Sequence, residues 1–88
     1  MSERRKEPRF PAKAEVRLRA EGAASKAVKG TVIDTSTSGF RARHSCHDLT
    51  SGQVVTFEYR LAAGRARIMW TRIIGDLVEN GFLILPQE

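Results

Sequence analysis

The sequence predicts an all-β protein whose six strands close into an antiparallel β-barrel. Several short stretches alternate apolar with polar residues, as strands with one buried face do, and turn-forming residues separate these stretches at short intervals. No segment of useful length carries apolar residues at helical spacing. At 88 residues the chain is one domain with a modest core, and closing the sheet gives every strand two neighbours. The order of the strands stays open.

The first strand alternates strictly, since residues 12–21 place a small or apolar side chain at every second position, and the fourth, VVTFEYRL, is the clearest strand of all. The six predicted strands cover residues 12–21, 27–34, 40–45, 54–61, 65–74 and 77–85. The residues expected to face inward from the first and fourth strands are Ala12, Ala14, Val16, Leu18, Ala20, Val55, Phe57, Tyr59 and Leu61. Consecutive strands joined by short connections are expected to pair antiparallel.

Glycine and small polar residues indicate where the connections between the predicted strands lie. Residues 62–64, Ala-Ala-Gly, predict a tight turn into the fifth strand, and residues 75–76, Gly-Asp, predict another into the sixth. Residues 46–53 form a longer loop between the third and fourth strands. Trp70 lies in an alternating stretch, so we expect its indole ring in the core.

The charge of the chain is basic and concentrated at its start. The formal net charge is +5, and eleven of the fifteen cationic residues are arginine, whose planar fork suits phosphate, carboxylate and guanine. Residues 1–13 hold five cationic residues against two glutamates, which gives +3 of that charge. Pro8 and Pro11 disfavour a helix at the residues that precede them. We therefore predict a flexible basic arm over residues 1–10 and a barrel domain over residues 11–88.

The composition argues against several other classes of protein. A single cysteine, Cys46, allows no intrachain disulfide, and the sequence lacks a secretory signal or a long apolar run, which favours a soluble cytoplasmic protein without a membrane span. No nucleophile elbow accompanies the two histidines, so no enzyme activity is expected. His44, Cys46, His47 and Asp48 lie close together, but structural zinc draws ligands from two separated segments, so neither a metal nor another cofactor is expected.

A polar motif, Asp34–Phe40, follows the second strand. Its sequence, Asp-Thr-Ser-Thr-Ser-Gly-Phe, is by itself most simply a turn. An ionised carboxylate such as Asp34 only accepts hydrogen bonds, so it suits the N1–H and N2–H donor edge of guanine, whereas arginine suits phosphate or the O6 and N7 edge. Ser36 can donate or accept a hydrogen bond nearby, and Gly39 permits a sharp turn of the backbone beside a ligand.

Set beside the arginines of the arm, this motif resembles the second of the two signature motifs of the PilZ domain family, bacterial receptor domains for cyclic di-GMP. Arg5 and Arg9 match the family's R-x-x-x-R motif, and Asp34, Ser36 and Gly39 match its D-x-S-x-x-G motif in the same order. The later stretches VVTFEY, IMW and NGFLIL resemble further strands of the family, so the resemblance covers nearly the whole chain. It implies a barrel that binds cyclic di-GMP, with the basic arm closing over the ligand.

The resemblance also implies a stoichiometry. In the PilZ family an arginine immediately before R-x-x-x-R goes with two mutually intercalated cyclic di-GMP molecules, and an apolar residue there goes with one. Arg4 occupies this position, so it joins the expected ligand-binding residues.

The chain departs from many PilZ domains at its end, because residues 85–88, Leu-Pro-Gln-Glu, leave little or no room for the helix that follows the last strand there. With no further domain attached, its output is expected to pass through a separate effector protein or through its oligomeric state.

Two other functions stay open at this point. A small basic β-barrel can bind single-stranded nucleic acid through a charged groove and stacking aromatic rings. Phe57 and Tyr59 share a predicted inward face, however, which leaves few aromatic side chains for such a platform. A PilZ-like barrel could also serve only as a protein-interaction module that binds no nucleotide.

Overall fold

The computed structural model describes residues 8–21, 27–60 and 62–86, which form a closed six-stranded barrel. The strands are β1 (Phe10–Ala20), β2 (Val28–Thr35), β3 (Gly39–His44), β4 (Val54–Tyr59), β5 (Ala62–Ile74) and β6 (Leu77–Ile84). Around the barrel they follow the order β1-β2-β3-β6-β5-β4, and every neighbouring pair is antiparallel. The predicted fold class is confirmed, and the structure adds the strand order.

The predicted arm is only partly covered, because Arg4 and Arg5 lie outside the described residues. Strand β1 already begins at Phe10, the last residue assigned to the arm. None of the described residues belongs to a helix that could cross a membrane.

The core is a single apolar cluster in the interior of the barrel. Its buried members are Val16, Leu18, Val32, Phe40, Ala42, Leu49, Val55, Phe57, Ala66, Ile68 and Phe82. Phe40 stacks on Phe82 with ring centroids 4.6 Å apart and meets Phe57 edge-on at 5.2 Å. Burying an apolar side chain of this size contributes about 1.5–3 kcal/mol, so these rings supply a large share of the stability of a small barrel. The predicted inward faces of β1 and β4 are confirmed at Val16, Leu18 and Phe57.

A β-bulge in β2 reverses the direction of the side chains that follow it. Val32 pairs with Ala42, whereas Asp34 pairs with Arg41, so two residues of β2 correspond to one step along β3. Strict alternation would point Asp34 inward like Val32, since side chains two positions apart share a face. The bulge is therefore what places the Asp34 carboxylate on the outer face of the barrel.

A second bulge has the same effect in β5. Ile68 pairs with Phe82, but Trp70 pairs with the adjacent Gly81, and the register shifts between them. Ile68 is 1% exposed, while Trp70 is 38% exposed. The prediction that Trp70 packs in the core is therefore wrong, because it assumed an unbroken alternation along the strand.

The turn between β4 and β5 lies earlier than the sequence suggested. Tyr59 pairs with Ala62, and Arg60, which follows Tyr59, has a φ of 55°. The prediction of a turn at residues 62–64 is wrong, since these residues already pair with β4. The pairing of β4 with β5 therefore decides where the connection between them lies. Leu61 itself lies outside the described residues.

The turn predicted between β5 and β6 is confirmed. Ile74 pairs with Leu77, and Gly75 between them has a φ of 60°, a conformation that favours glycine. This end of the hairpin is apolar but not buried, with Ile73 55% exposed, Ile74 40% and Leu77 39%.

His44 at the end of β3 fastens the following loop to the barrel. Its ring is 3% exposed, and its Nδ1 accepts a hydrogen bond of 3.0 Å from the backbone N–H of Cys46. The proton therefore sits on Nε2, which donates to the side-chain oxygen of Asn80, and the amide of Asn80 reaches the carbonyl of the buried Leu49. Burial lowers the pKa of His44, although the hydrogen bond to Asn80 partly opposes this. The histidine thus acts as a neutral, hydrogen-bonded core group.

Candidate functional site

Four residues in register form a strip across the outer face of β2, β3, β6 and β5. Asp34 pairs with Arg41, Arg41 with Gly81, and Gly81 with Trp70. Residues directly opposite each other in neighbouring strands point to the same side of a sheet. At about 4.8 Å between strands, the strip is about 14 Å wide. We call it the Asp34 row.

Asp34 is the acidic centre of this row. Its carboxylate is on the outer face, yet the residue is only 8% exposed because two arginines cover it. Arg9 Nε donates to Oδ1 at 3.0 Å, and an Nη atom of Arg41 donates to Oδ2. Both oxygens therefore accept charge-assisted hydrogen bonds, which are stronger than neutral ones. A carboxylate held in this way has a fixed position and a fixed orientation.

The turn after β2 is built by the remaining motif residues. The backbone N–H of Ser36 donates to the carbonyl of Gly39 at 2.8 Å, and the Ser36 hydroxyl lies 3.4 Å from the same oxygen. The carbonyl of Ser38 accepts from the N–H of Ile84 at 2.8 Å, which ties the turn to β6. The motif thus connects the outward-facing Asp34 to β3 through a turn stabilised by hydrogen bonds.

Gly39 is required here for a different reason from the one the sequence suggested. Its φ lies outside the positive range, in which only Gly52 and Gly75 fall among the described glycines, so it does not supply a left-handed turn. A Cβ at Gly39 would instead overlap the carbonyl oxygen of Phe82 on the neighbouring strand. The expectation of a sharp turn at Gly39 is therefore wrong. Glycine is needed at this position because the backbones of β3 and β6 approach each other closely.

A second strip of residues runs beside the Asp34 row. Arg43 on β3 pairs with Glu79 on β6, and Glu79 pairs with Arg72 on β5. Glu79 is 1% exposed although it lies on the outer face. Its Oε1 accepts from Arg72 at 2.6 Å, while Arg41 and Arg43 each approach its Oε2 to 3.7 Å. We call this strip the Glu79 row, and Arg41 connects it to Asp34.

Trp70 forms the outer margin of the Asp34 row. Its indole lies over Gly81, where any Cβ would overlap the ring. The guanidinium of Arg72 lies 6.0 Å from the ring centroid, within the range of a cation–π contact. The residue thus presents an exposed aromatic face beside the arginines, where a planar base could stack.

The structure brings together four of the six residues predicted as ligand contacts. Arg9, Asp34, Ser36 and Gly39 lie within one continuous region, and Arg4 and Arg5 are outside the described residues. The residues that sequence reasoning did not assign to the site are Arg41, Arg43, Trp70, Arg72 and Glu79. The sequence could have indicated Arg41 and Arg43, because they alternate along β3 with the apolar Phe40 and Ala42 and therefore point to the opposite face of the sheet.

The site has an excess of positive charge and offers no metal centre. Four arginines face two carboxylates across the two rows, which gives a local charge of 4 − 2 = +2. Among the residues the structure describes, no group of three or more histidine, cysteine or acidic side chains could hold a metal ion. Arginine forks beside an exposed indole are suited to an anionic ligand that carries flat rings.

The fold and the site define a small β-barrel domain with a charged binding surface on its outside. The family model of the PilZ domain matches residues 3–84, so the chain belongs to the PilZ domain family. The match begins ahead of Arg4 and Arg5 and includes all six predicted contact residues. No curated protein matches the chain.

Proposed function

We propose that this chain is a receptor for cyclic di-GMP and that the ligand binds along the Asp34 row. The observation that carries the proposal is the carboxylate of Asp34, which a bulge turns outward and two arginines hold at both oxygens. A buried carboxylate facing outward is suited to read a donor edge, and guanine presents N1–H and N2–H side by side. The PilZ membership of the chain supports cyclic di-GMP as the ligand class.

Binding then exchanges the partners of Asp34. In the ligand-free chain Arg9 Nε occupies Oδ1 of Asp34 at 3.0 Å. When a guanine edge donates to the carboxylate, Arg9 turns to the ligand and makes a bidentate contact with a phosphate or with O6 and N7. Arg41 stays on the other oxygen and keeps the carboxylate in place.

The remaining contacts come from the arm and from Trp70. Arg4 and Arg5 supply further guanidinium groups for the phosphates, and the indole of Trp70, 38% exposed, offers a face for a base. Ser36 and Gly39 hold the turn that connects Asp34 to β3, and the Ser36 hydroxyl can also reach the ligand.

The domain acts by binding and catalyses no reaction. A bacterial receptor of this kind changes the surface that it presents in the cytoplasm, and a separate effector protein reads the change. Ligand occupancy covers the charged rows and orders the arm over them, so both become part of the surface that the effector contacts.

The test is a calorimetric titration of the wild type and of Asp34→Asn with cyclic di-GMP, GTP and a short oligonucleotide. The asparagine side chain keeps an acceptor oxygen but loses the charge that two arginines hold, and it offers one oxygen to guanine instead of two. We expect at least about a tenfold loss of cyclic di-GMP affinity, since a charge-assisted hydrogen bond is worth about 1.5–3 kcal/mol. Glu58→Gln is the matched control, because Glu58 is an exposed carboxylate on β4, a strand that carries no residue of the Asp34 row.

Equal affinities of wild type and Asp34→Asn for cyclic di-GMP would contradict the proposal. Tighter binding of the oligonucleotide than of cyclic di-GMP would favour the nucleic-acid alternative instead. The observation that favours this alternative is the exposure of two aromatic side chains, Trp70 at 38% and Phe10 at 61%, which could stack on unpaired bases.

A further inference from the structure

The Glu79 row contains more hydrogen-bond donors than its carboxylate can use. Arg72 contacts Oε1 of Glu79 through Nε at 3.2 Å and Nη2 at 2.6 Å. Arg41 and Arg43 approach Oε2 only to 3.7 Å, beyond hydrogen-bond distance. Each guanidinium has five N–H donors, whereas one carboxylate accepts about four hydrogen bonds. Because Arg41 is shared with Asp34, the three arginines around Glu79 have unused hydrogen-bond donors and more positive charge than the single carboxylate balances.

Two of these arginines are open to a ligand. The side chains of Arg43 and Arg72 are 43% and 60% exposed. In the described part of the chain Arg43 makes no hydrogen bond through its guanidinium, and the buried Nε of Arg41 has no partner either.

Glu79 fixes where these guanidinium groups lie. Its carboxylate is 1% exposed and sits between β3 and β5, in register with Arg43 on one side and Arg72 on the other. Without an anion at this position, the three cationic side chains on β3 and β5, the strands on either side of Glu79, would repel one another and spread into solvent. With it, their forks converge on one place beside Trp70 and Arg41.

We propose that Arg43 and Arg72, oriented by Glu79, form a second phosphate-binding position for the cyclic dinucleotide, next to the Asp34 row. Arg41 connects the two positions, because it contacts both Asp34 and Glu79. Glu79 is then a positioning residue that touches no ligand atom, and Arg43 and Arg72 contact a phosphate directly. The identity of the ligand rests on the proposed function, whereas the phosphate site itself follows from the geometry of the Glu79 row.

The first experiment removes the phosphate contacts one at a time. Arg43→Ala and Arg72→Ala should each lower the affinity for cyclic di-GMP by at least about tenfold in calorimetry, as expected for loss of a charge-assisted contact. Arg17→Ala is the matched control, since it removes the same charge from the exposed face of β1, a strand that carries no residue of either row. It should change the affinity less than threefold. Equal effects of all three substitutions would overturn the proposal.

The second experiment separates positioning from charge. Glu79→Gln raises the net charge by one, so simple attraction predicts tighter binding of every anion. Loss of positioning predicts at least tenfold weaker binding of cyclic di-GMP together with unchanged or tighter binding of tripolyphosphate, a flexible polyanion. Tighter binding of both ligands would show that Glu79 only reduces the local charge, and would overturn its positioning role. The thermal midpoint of each variant checks that it folds.

A third measurement keeps the site testable if the proposed function fails. A wild type that binds no cyclic di-GMP would contradict the proposed function but not the phosphate site. Titration of the wild type with inorganic pyrophosphate should then shift the NMR signals of the Nε–H groups of Arg43 and Arg72 and leave that of Arg17 in place. Absence of a selective shift would overturn the site.

Discussion

Arg41 is the side chain that links the two rows on the outer face of the barrel. It contacts the carboxylate of each row, Asp34 and Glu79, and so joins both rows into one surface. Removing it would leave Asp34 with Arg9 alone and Glu79 without one of its three cations. A buried carboxylate that loses a partner is strongly destabilised, so Arg41 supports the fold and the site together.

The ligand stoichiometry depends on a residue next to the R-x-x-x-R motif. Two stacked dinucleotides bring four phosphates together, and Arg4 would supply a further fork for the second molecule. We expect two cyclic di-GMP molecules per chain for the wild type and a shift toward one for Arg4→Leu, with Arg5 and Arg9 intact. The stoichiometry from calorimetry checks this.

A wild-type value of one ligand per chain, or no change on Arg4→Leu, would contradict a role for Arg4. Arg60→Leu is a suitable control, because it removes an exposed arginine at the β4–β5 turn and should leave the stoichiometry unchanged.

At the scale of strands and loops, periodicity predicted the elements but not where the bulges interrupt them. The inward faces of β1 and β4 were predicted correctly at Val16, Leu18 and Phe57, where the side chains obey a period of two, although β1 begins two residues earlier than predicted and β4 ends at Tyr59. Trp70 was misplaced because a bulge depends on the register of two paired strands, which one strand's sequence does not contain.

The same limit applies to the site. The motif residues Arg9 and Asp34 were found through their resemblance to a family, and the structure pairs them at 3.0 Å. No pattern in the sequence indicated that Glu79 belongs to the site. Its burial comes from arginines on β3 and β5, and only the strand order brings these close to it. Contacts between distant segments need the topology, which short-range patterns leave open.

His44, the last residue of β3, makes the stability of the barrel sensitive to pH. Burial lowers the folded-state pKa below the usual value of about 6.5, so the unfolded chain binds a proton more readily. Below pH 6.5 the unfolded state therefore gains protons first, and the free energy of unfolding falls as the pH drops toward the folded-state pKa. The slope should not exceed about 1.4 kcal/mol per pH unit.

Urea unfolding of the wild type and of His44→Gln between pH 5 and pH 8 measures this dependence. The variant should be less stable at pH 8 but should show a flatter profile, because it lacks the buried group that titrates. Parallel profiles for wild type and His44→Gln would exclude His44 as the source.

For the whole molecule, binding and folding are linked because the site spans four of the six strands. A ligand that binds only the folded barrel at a hundredfold its Kd adds about 2.7 kcal/mol to the free energy of unfolding. For a domain of this size we expect cyclic di-GMP to raise the thermal midpoint by about 10–20 °C. A midpoint that does not move with ligand concentration in differential scanning calorimetry would count against specific binding to the folded chain.

Closure of the barrel also restricts how an effector protein can recognise it. Each of the six strands pairs with two neighbours over part of its length, but some strand ends extend beyond this shared pairing, as residues 70–74 of β5 do, which pair with β6 and not with β4. In the described sheet a partner could add a strand of its own only at such an end. Elsewhere a partner has to recognise side chains, and the exposed apolar end of the β5–β6 hairpin, with Ile73 and Leu77, provides contact area close to the Glu79 row.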